Sequence, residues 1–340
     1  ELTVTLQGRA PAEGTVRVYV FDQAGVLRGL DDPEVTEPVF TWYPATTDRY
    51  YVKVANTSQS PVTLRIESNP SKEVRERPLK EFASVRVQFA TNRQAVVTEG
   101  AVKFGVEPSQ MSYGYADVSI PRDHRMGELE APSIWRLELR GDPAKHVLVL
   151  EAKRTAEAAF FKQITDRVSM SAKKEAFVFV HGFNVAFDDA VRRTGQMAYD
   201  LAFEGPAITF SWPSQASLAP LDYTKDQRNA DVSSQALQDF LVRLKGTSPQ
   251  LTVHLVAHSM GNRVVARALE RLGADVRPPA NPPLQEVAMM GPDIDAELFR
   301  QAAGKIAASA QHVTLYASSA DLALKAAQKV AGYPRAGEGG

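Results

Sequence analysis

The stretch that decides the fold runs from Leu251 to Leu272 and reads LTVHLVAHSMGNRVVARALERL. Leu251–Ala257 is a short apolar run of strand size, and from Asn262 to Leu272 the apolar residues return every three or four positions, as on one face of a helix. Between them, Ala257-His258-Ser259-Met260-Gly261 allows only a sharp strand-to-helix turn. Such a reversal needs small residues on both sides of the serine, because Cβ atoms there press on neighbouring elements, and Ala257 and Gly261 meet that need. Ser259 is then expected to project its hydroxyl over a sheet edge, at the N-terminus of a helix whose dipole favours a developing anion. A small-x-Ser-x-small match alone says little. Set between a buried strand and an amphipathic helix, it reads as a nucleophile elbow rather than as a serine capping a helix.

The same alternation extends outward. Strand-like runs at Val85–Phe89, Val147–Glu151, Phe177–Val180, Ile208–Ser211, Glu286–Met290 and Val313–Ala317 alternate with helical patterns. The helices are expected at Ala156–Val168, Asp188–Phe203, Ser233–Lys245, Ala296–Ala308 and Asp321–Val330. Strands alternating with helices predict a mostly parallel sheet covered on both faces, with ligands bound beyond the carboxyl ends of its strands. Chemistry is therefore expected in the turns after Val180, Ala257, Met290 and Ala317. Residues 1–70 differ: short β-rich runs at Leu2–Leu6, Thr15–Phe21, Val39–Tyr43, Tyr50–Val54 and Val62–Ile66, parted by turn signals, predict a small sandwich. Ser71–Glu81, dense in charge and holding Pro78, reads as a linker. The expected organisation is an N-terminal β-domain with linker over residues 1–80 and a catalytic domain over 81–340.

The turn after Phe177–Val180 reads His181-Gly182-Phe183-Asn184. In an elbow-bearing sheet an earlier strand–helix loop supplies one backbone N–H of an oxyanion hole, here Phe183, and the residue after the serine, Met260, supplies the other. His181 reads as a loop-holding residue rather than a base. A serine hydroxyl also needs a histidine to take its proton and a carboxylate to orient that histidine. Two acids follow Ser259 at strand ends, Asp321 in Ser318-Ser319-Ala320-Asp321 and Asp293 in Gly291-Pro292-Asp293-Ile294-Asp295. The chain order of the template favours Asp321, and the loser of the two suits a helix N-cap. The six histidines are His124, His146, His181, His254, His258 and His312, and none follows Asp321. His258, beside the serine, and Trp212, in Trp212-Pro213-Ser214-Gln215, are candidates to line a substrate pocket, Trp212 serving equally as packing between sheet and helix. The polar stretch on to Asn229 reads as a small lid at most.

The run from Val85 to Gly340 resembles a bacterial α/β-hydrolase family of unknown function within the esterase/lipase superfamily. The resemblance rests on Ala90-Thr91-Asn92-Arg93, Val118-Ser119-Ile120-Pro121, Phe179–Asn184, Ser211–Ser214, Ala257–Arg263 and Thr314–Ser318. It implies the α/β-hydrolase fold and a serine hydrolase of ester-like bonds, and residues 1–80 lie outside it. It also implies a histidine near the C-terminus, so the catalytic base is expected in a tail beyond Gly340.

Composition narrows the function classes. With 39 Lys and Arg against 40 Asp and Glu, the 340-residue chain carries a formal charge of -1, so no basic field draws it to nucleic acid. No apolar run approaches the roughly 18 residues of a spanning helix. The absence of cysteine excludes thiol catalysis and thiolate metal sites. No metal or other cofactor is expected, and Asp293 with Asp295 makes too few ligands for one. The first residue is Glu1 rather than Met, which with the β-module leads to an expected secreted or periplasmic location. The reading is a serine esterase acting on a small or medium soluble ester through an acyl-enzyme. Its rivals are an acyltransferase or amidase using the same serine, and a binding or scaffold protein that keeps the fold without turnover.

Overall fold

The computed structural model describes residues 82–98, 101–121, 124–131, 141–171, 173–217, 219–274, 284–318, 328 and 334–338, together with six N-terminal strands. Those strands are β1 (Leu2–Gln7), β2 (Val16–Asp22), β3 (Leu27–Leu30), β4 (Val39–Trp42), β5 (Tyr50–Asn56) and β6 (Thr63–Ser68). They pair antiparallel in two three-stranded sheets, β4-β1-β6 and β3-β2-β5. Val18, Tyr19 and Val20 are buried on β2. This is the small antiparallel N-terminal domain the short β-rich runs predict; β3 is additional. The expected linker and the helix expected over Asp321–Val330, apart from residue 328, lie outside the described residues.

The rest of the chain builds an eight-stranded mixed sheet flanked by helices. Its strands are β7 (Phe82–Thr98), β8 (Ala101–Pro121), β9 (Leu148–Thr155), β10 (Glu175–Val180), β11 (Ala207–Ser211), β12 (Thr252–His258), β13 (Leu284–Met290) and β14 (Ala310–Tyr316). The order is β14-β13-β12-β10-β11-β7-β8-β9. All pairs from β14 to β7 are parallel, and β8 runs antiparallel to both β7 and β9. The central strands explain themselves: β10 is buried from Ala176 through Val180, the near-continuous apolar run of a parallel strand covered on both faces. Among the described residues, five helices connect the strands: α1 (Glu157–Met170), α2 (Phe187–Asp200), α3 (Pro220–Gly246), α4 (Gly261–Ala274) and α5 (Ala296–Ala308).

Two elements depart from the sequence expectation. α3 starts at Pro220 rather than at Ser233, so the stretch read as a lid is the first half of a long helix with proline in its first turn. Its buried face runs through Tyr223, Asp226, Ala230, Ser233, Ser234 and Leu237. That spacing is helical, but polar side chains draw half of it, so an apolar period cannot show it. β8 went unforeseen for a related reason. Its buried positions are Ser112, Gly114, Ala116, Val118, Ser119, Ile120 and Pro121, so most of its length is too small or polar to register as a hydrophobic face and larger apolar residues come only near its end. Gly114 is required there, since a Cβ would stand 2.0 Å from the Lys153 carbonyl oxygen and 2.5 Å from Phe89 Cζ.

Candidate active site

The parallel strands deliver the ends of β7, β10, β11, β12 and β13 to one edge of the sheet, and Ser259 stands there between β12 and α4. Its φ is +50°, the left-handed region that costs a non-glycine residue about 1–2 kcal/mol. The fold holds it in that state from both sides. The Ser259 N–H donates to the Met290 carbonyl at 2.9 Å, and its carbonyl accepts from the backbone of Asn262 at 3.1 Å and of Asp293 at 3.2 Å. The buried Asn262 side chain adds bonds to the carbonyls of Ser259 (3.0 Å) and Met290 (3.1 Å), so the asparagine after Gly261 is the latch that ties the turn to the end of β13.

The elbow packs against the loop after β10. A Cβ on Gly261 would lie 2.3 Å from the His181 carbonyl oxygen and 2.6 Å from that of Val180. A Cβ on Gly182 would lie 2.9 Å from Ser259 Cβ and 3.0 Å from the His258 carbonyl oxygen. Two glycines on two turns thus let the loop and the serine touch.

Within loop 181–185 several polar groups are paired. The His181 carbonyl accepts from Trp212 Nε1 at 2.7 Å, and the Gly182 carbonyl lies 2.9 Å from His181 Nδ1. Asn184, at φ +57°, hydrogen-bonds through its backbone to Asp226. The Val185 carbonyl accepts from Arg93 at 2.7 Å, and the Val185 N–H donates to Ser214 Oγ at 3.3 Å. Among the described residues the amides of Phe183 and Met260 have no acceptor. The Phe183 ring meets Tyr223 edge to face at 5.3 Å and packs on the core.

Beneath the loop lies a buried polar network. Burial pushes the Arg93 guanidinium down to a pKa of about 10, and burial with Arg93 alongside pushes His181 down to about 3. Asp226 is raised by burial, against bonds from Ser214 Oγ (2.6 Å) and the Gln215 N–H (2.8 Å) that favour its anion. Trp212 is fully buried and stacks on the His181 ring at 5.1 Å. It therefore lines no open pocket, and the packing alternative describes it.

Asp293 is 3% exposed, and its backbone touches that of Ser259. Tyr223 Oη donates to its carboxylate at 2.9 Å, and Arg335 Nε stands 3.1 Å from Oδ1. Arg335 also donates to Tyr223 Oη at 2.8 Å, which closes a buried triangle of three side chains from three distant segments. The tail of Arg335 runs antiparallel along the loop after β13: Ala336 N–H bonds the Ile294 carbonyl, and Gly337 N–H that of Pro292, each at 2.9 Å. The helix-capping role falls to Asp295, whose Oδ1 accepts from the amides of Glu297 and Leu298. Asp321 lies outside the described residues.

The six histidines divide sharply. His258 ends β12, exposed, beside Ser259. His181 is buried and neutral. His124 bridges Glu130 and Asp200 at 2.8 Å each, where α2 ends at the opposite edge of the sheet. His146 precedes β9, and His254 and His312 lie in the amino halves of their strands. Sequence reasoning missed Asn262, Arg93, Tyr223 and Arg335 as parts of this edge. Of these, Arg93 in Ala90-Thr91-Asn92-Arg93, within β7, and Asn262 in Ala257–Arg263 fell in stretches that carried a signal, though not of these roles.

The sheet, with a strained serine on a strand-to-helix elbow, defines the α/β-hydrolase class. Residues 156–338 match the family described as alpha/beta hydrolase of unknown function (DUF900), more than half of the chain, and the protein belongs to that family. An uncharacterized protein of Nostoc sp. is 25% identical over 155 residues, covering 37% of this chain and 37% of its own length, so the chain spans little more than a third of that relative. The solved structure of Phospholipase PlaB from Legionella pneumophila aligns with a TM-score of 0.22 and 17% identity, over 37% of this chain and 28% of that one. A superposition this slight bears on neither fold nor site.

Proposed function

We propose that the protein is a serine hydrolase that cleaves carboxylic esters through an acyl-enzyme. What carries the reading is the backbone of Ser259, held at φ +50° against a loop whose bordering polar groups are paired, while the amides of Phe183 and Met260 are left without acceptors. Strain at such an elbow persists where the surroundings over-determine it, which is the condition for a pre-organised nucleophile.

In this mechanism Ser259 Oγ attacks the ester carbonyl as a histidine takes its proton. The carbonyl oxygen becomes an anion held by the amides of Phe183 and Met260, and the alcohol leaves with the proton returned by the histidine. Water then repeats the sequence on the acyl-enzyme and frees the acid. Asp293 is the better-supported acid, buried against the serine turn and within 3.1 Å of Arg335, with Asp321 as its alternative. None of these six is assigned as the base: four stand away from Ser259, His181 is buried with both ring nitrogens engaged, and His258 adjoins Ser259 within the turn itself. A small or medium soluble ester is the proposed substrate, because residues 220–246 form a packed helix rather than a broad apolar lid.

The placement of the histidines favours the rival reading of a hydrolase fold without turnover, and one experiment separates the two. The natural full-length protein and its Ser259→Ala variant are incubated with a fluorophosphonate, weighed intact, and assayed on short-chain nitrophenyl esters. One adduct on wild type alone, with turnover lowered at least about 10³-fold in the variant, supports the esterase. No adduct and no turnover in a folded protein supports the scaffold. Transfer to added alcohols or amines faster than hydrolysis would point to the acyltransferase or amidase.

A further inference from the structure

Arg93 belongs to a motif that the reaction does not use, and its surroundings are unusual. It is 1% exposed and touches no carboxylate among the described residues. Its donors go to Ser211 Oγ (2.9 Å), the carbonyls of Gly105 and Ser214 (3.1 Å each), the Val185 carbonyl (2.7 Å) and His181 Nε2 (3.4 Å). A guanidinium has five N–H groups in a rigid fork and no acceptor, so these five partners use the whole inventory.

That accounting fixes the state of His181. A carbonyl cannot donate, so the 2.9 Å contact to Gly182 requires the proton on Nδ1. Nε2 then accepts from Arg93 and from Ser211 Oγ at 3.2 Å. The peptide joining Gly182 to Phe183 is planar and trans, so its C=O and N–H point in opposite directions. Where the carbonyl is drawn inward by the ring, the amide faces out, on a loop whose Gly182 lies against Ser259.

We propose that Arg93 and His181 are positioning residues that aim an oxyanion donor: Arg93 holds the His181 ring, His181 Nδ1–H holds the Gly182 carbonyl, and the shared peptide plane turns the Phe183 N–H toward Ser259. The proposal rests on the serine-hydrolase reading, because only an anion formed at Ser259 gives that amide a task. His181 acts through the loop and never meets the substrate.

The test uses the full-length protein with His181→Phe, which keeps a ring to stack on Trp212 but cannot donate, and His181→Asn, whose amide replaces the Nδ1 donor. Arg93→Lys removes the fork. kcat and KM on a soluble ester, thermal midpoints by circular dichroism, and 15N shifts of the wild-type His181 ring are recorded. In His181→Phe kcat should fall by about 10²-fold, the cost of losing one oxyanion donor, with KM changed less than about threefold. His181→Asn should recover at least about tenfold of that loss, and Arg93→Lys should lower kcat in the same way. The ring nitrogens should report the Nδ1–H form from pH 5 to 8. A folded His181→Phe with near wild-type kcat, an equal loss in His181→Asn, or an Nε2–H ring would each overturn the proposal. If the variants fail to fold, the wild-type tautomer still decides it. If wild type shows no turnover, the esterase reading has failed, whereas an Nε2–H ring in an active enzyme fails this inference alone.

Discussion

Gly261→Ala tests the contact on which the site depends. The added Cβ would stand 2.3 Å from the His181 carbonyl oxygen, 2.6 Å from that of Val180 and 3.0 Å from the His181 carbonyl carbon. A carbon–oxygen contact relaxes at about 3.3 Å, so the start of α4 and the end of β10 must part by about 1 Å. All three opposing atoms are backbone, at the buried end of β10 and the first residue of the loop after it, so no side chain can swing away. Overpacking of this kind costs about 1–3 kcal/mol. The same displacement separates Ser259 from the Phe183 amide, and a 1 Å misplacement of reacting groups is worth about 10²-fold in rate. Gly304→Ala is the control, in the interior of α5 with nothing within 4 Å of the new methyl group; it should be neutral or gain up to about 1 kcal/mol from helix propensity. Urea unfolding and ester turnover are measured on both variants. A Gly261→Ala protein with wild-type stability and wild-type kcat would refute the packing of elbow against loop and the rate argument built on it.

Further outcomes follow from the buried groups. Tyr223→Phe removes a hydroxyl that donates to Asp293 and accepts from Arg335, so stability should fall by about 1.5–3 kcal/mol in urea unfolding. If Asp293 is the acid, kcat should fall with it while KM holds. His181 titrates at about 3 when folded, against 6.5 when free, so between those values the unfolded chain binds a proton that the folded one refuses. Its contribution to stability is therefore full above pH 6.5 and lost as pH falls toward 3. On acidification wild type should lose stability faster than His181→Asn by roughly 1 kcal/mol per pH unit, and parallel curves would remove the buried neutral ring. His124→Gln strands Glu130 and Asp200 at the far edge of the sheet. It should cost about 1–3 kcal/mol while leaving kcat within about twofold, and a large kcat loss would show that the far edge communicates with Ser259.

The readable parts of the fold and the unreadable ones differ by where their information lies. Strands such as β10 and helices such as α5 carry their burial in local apolar order, so pattern reading finds them to within a few residues. The first half of α3 and most of β8 escaped because serine, glycine, alanine and aspartate make up much of their buried faces, with larger residues such as Tyr223, Val118 and Ile120 too sparse to set a period. The elbow was legible because its geometry is local and demands particular small residues around Ser259. Asn262 was visible as a helix start but not as a latch, since its partner Met290 is reached only when β13 lies beside β12.

What surrounds the serine is long-range. Arg93 meets His181 across 88 residues and Tyr223 meets Arg335 across 112, and no spacing rule spans such gaps. These pairs follow a shared logic. Each is a side chain from a distant segment that satisfies backbone or carboxylate groups behind a reacting position, and none is itself placed to react. A serine on a sharp turn is easily written into a sequence, but the oxyanion donors proposed for it are ordinary amides whose identity carries no residue code. Their direction is set by whatever holds the carbonyls on the far side of the same peptide planes. On the proposed reading, the Gly182 carbonyl held by His181 explains why the nucleophile of such a site can be read from sequence while the residues that aim its donors stay hidden until the strands are paired.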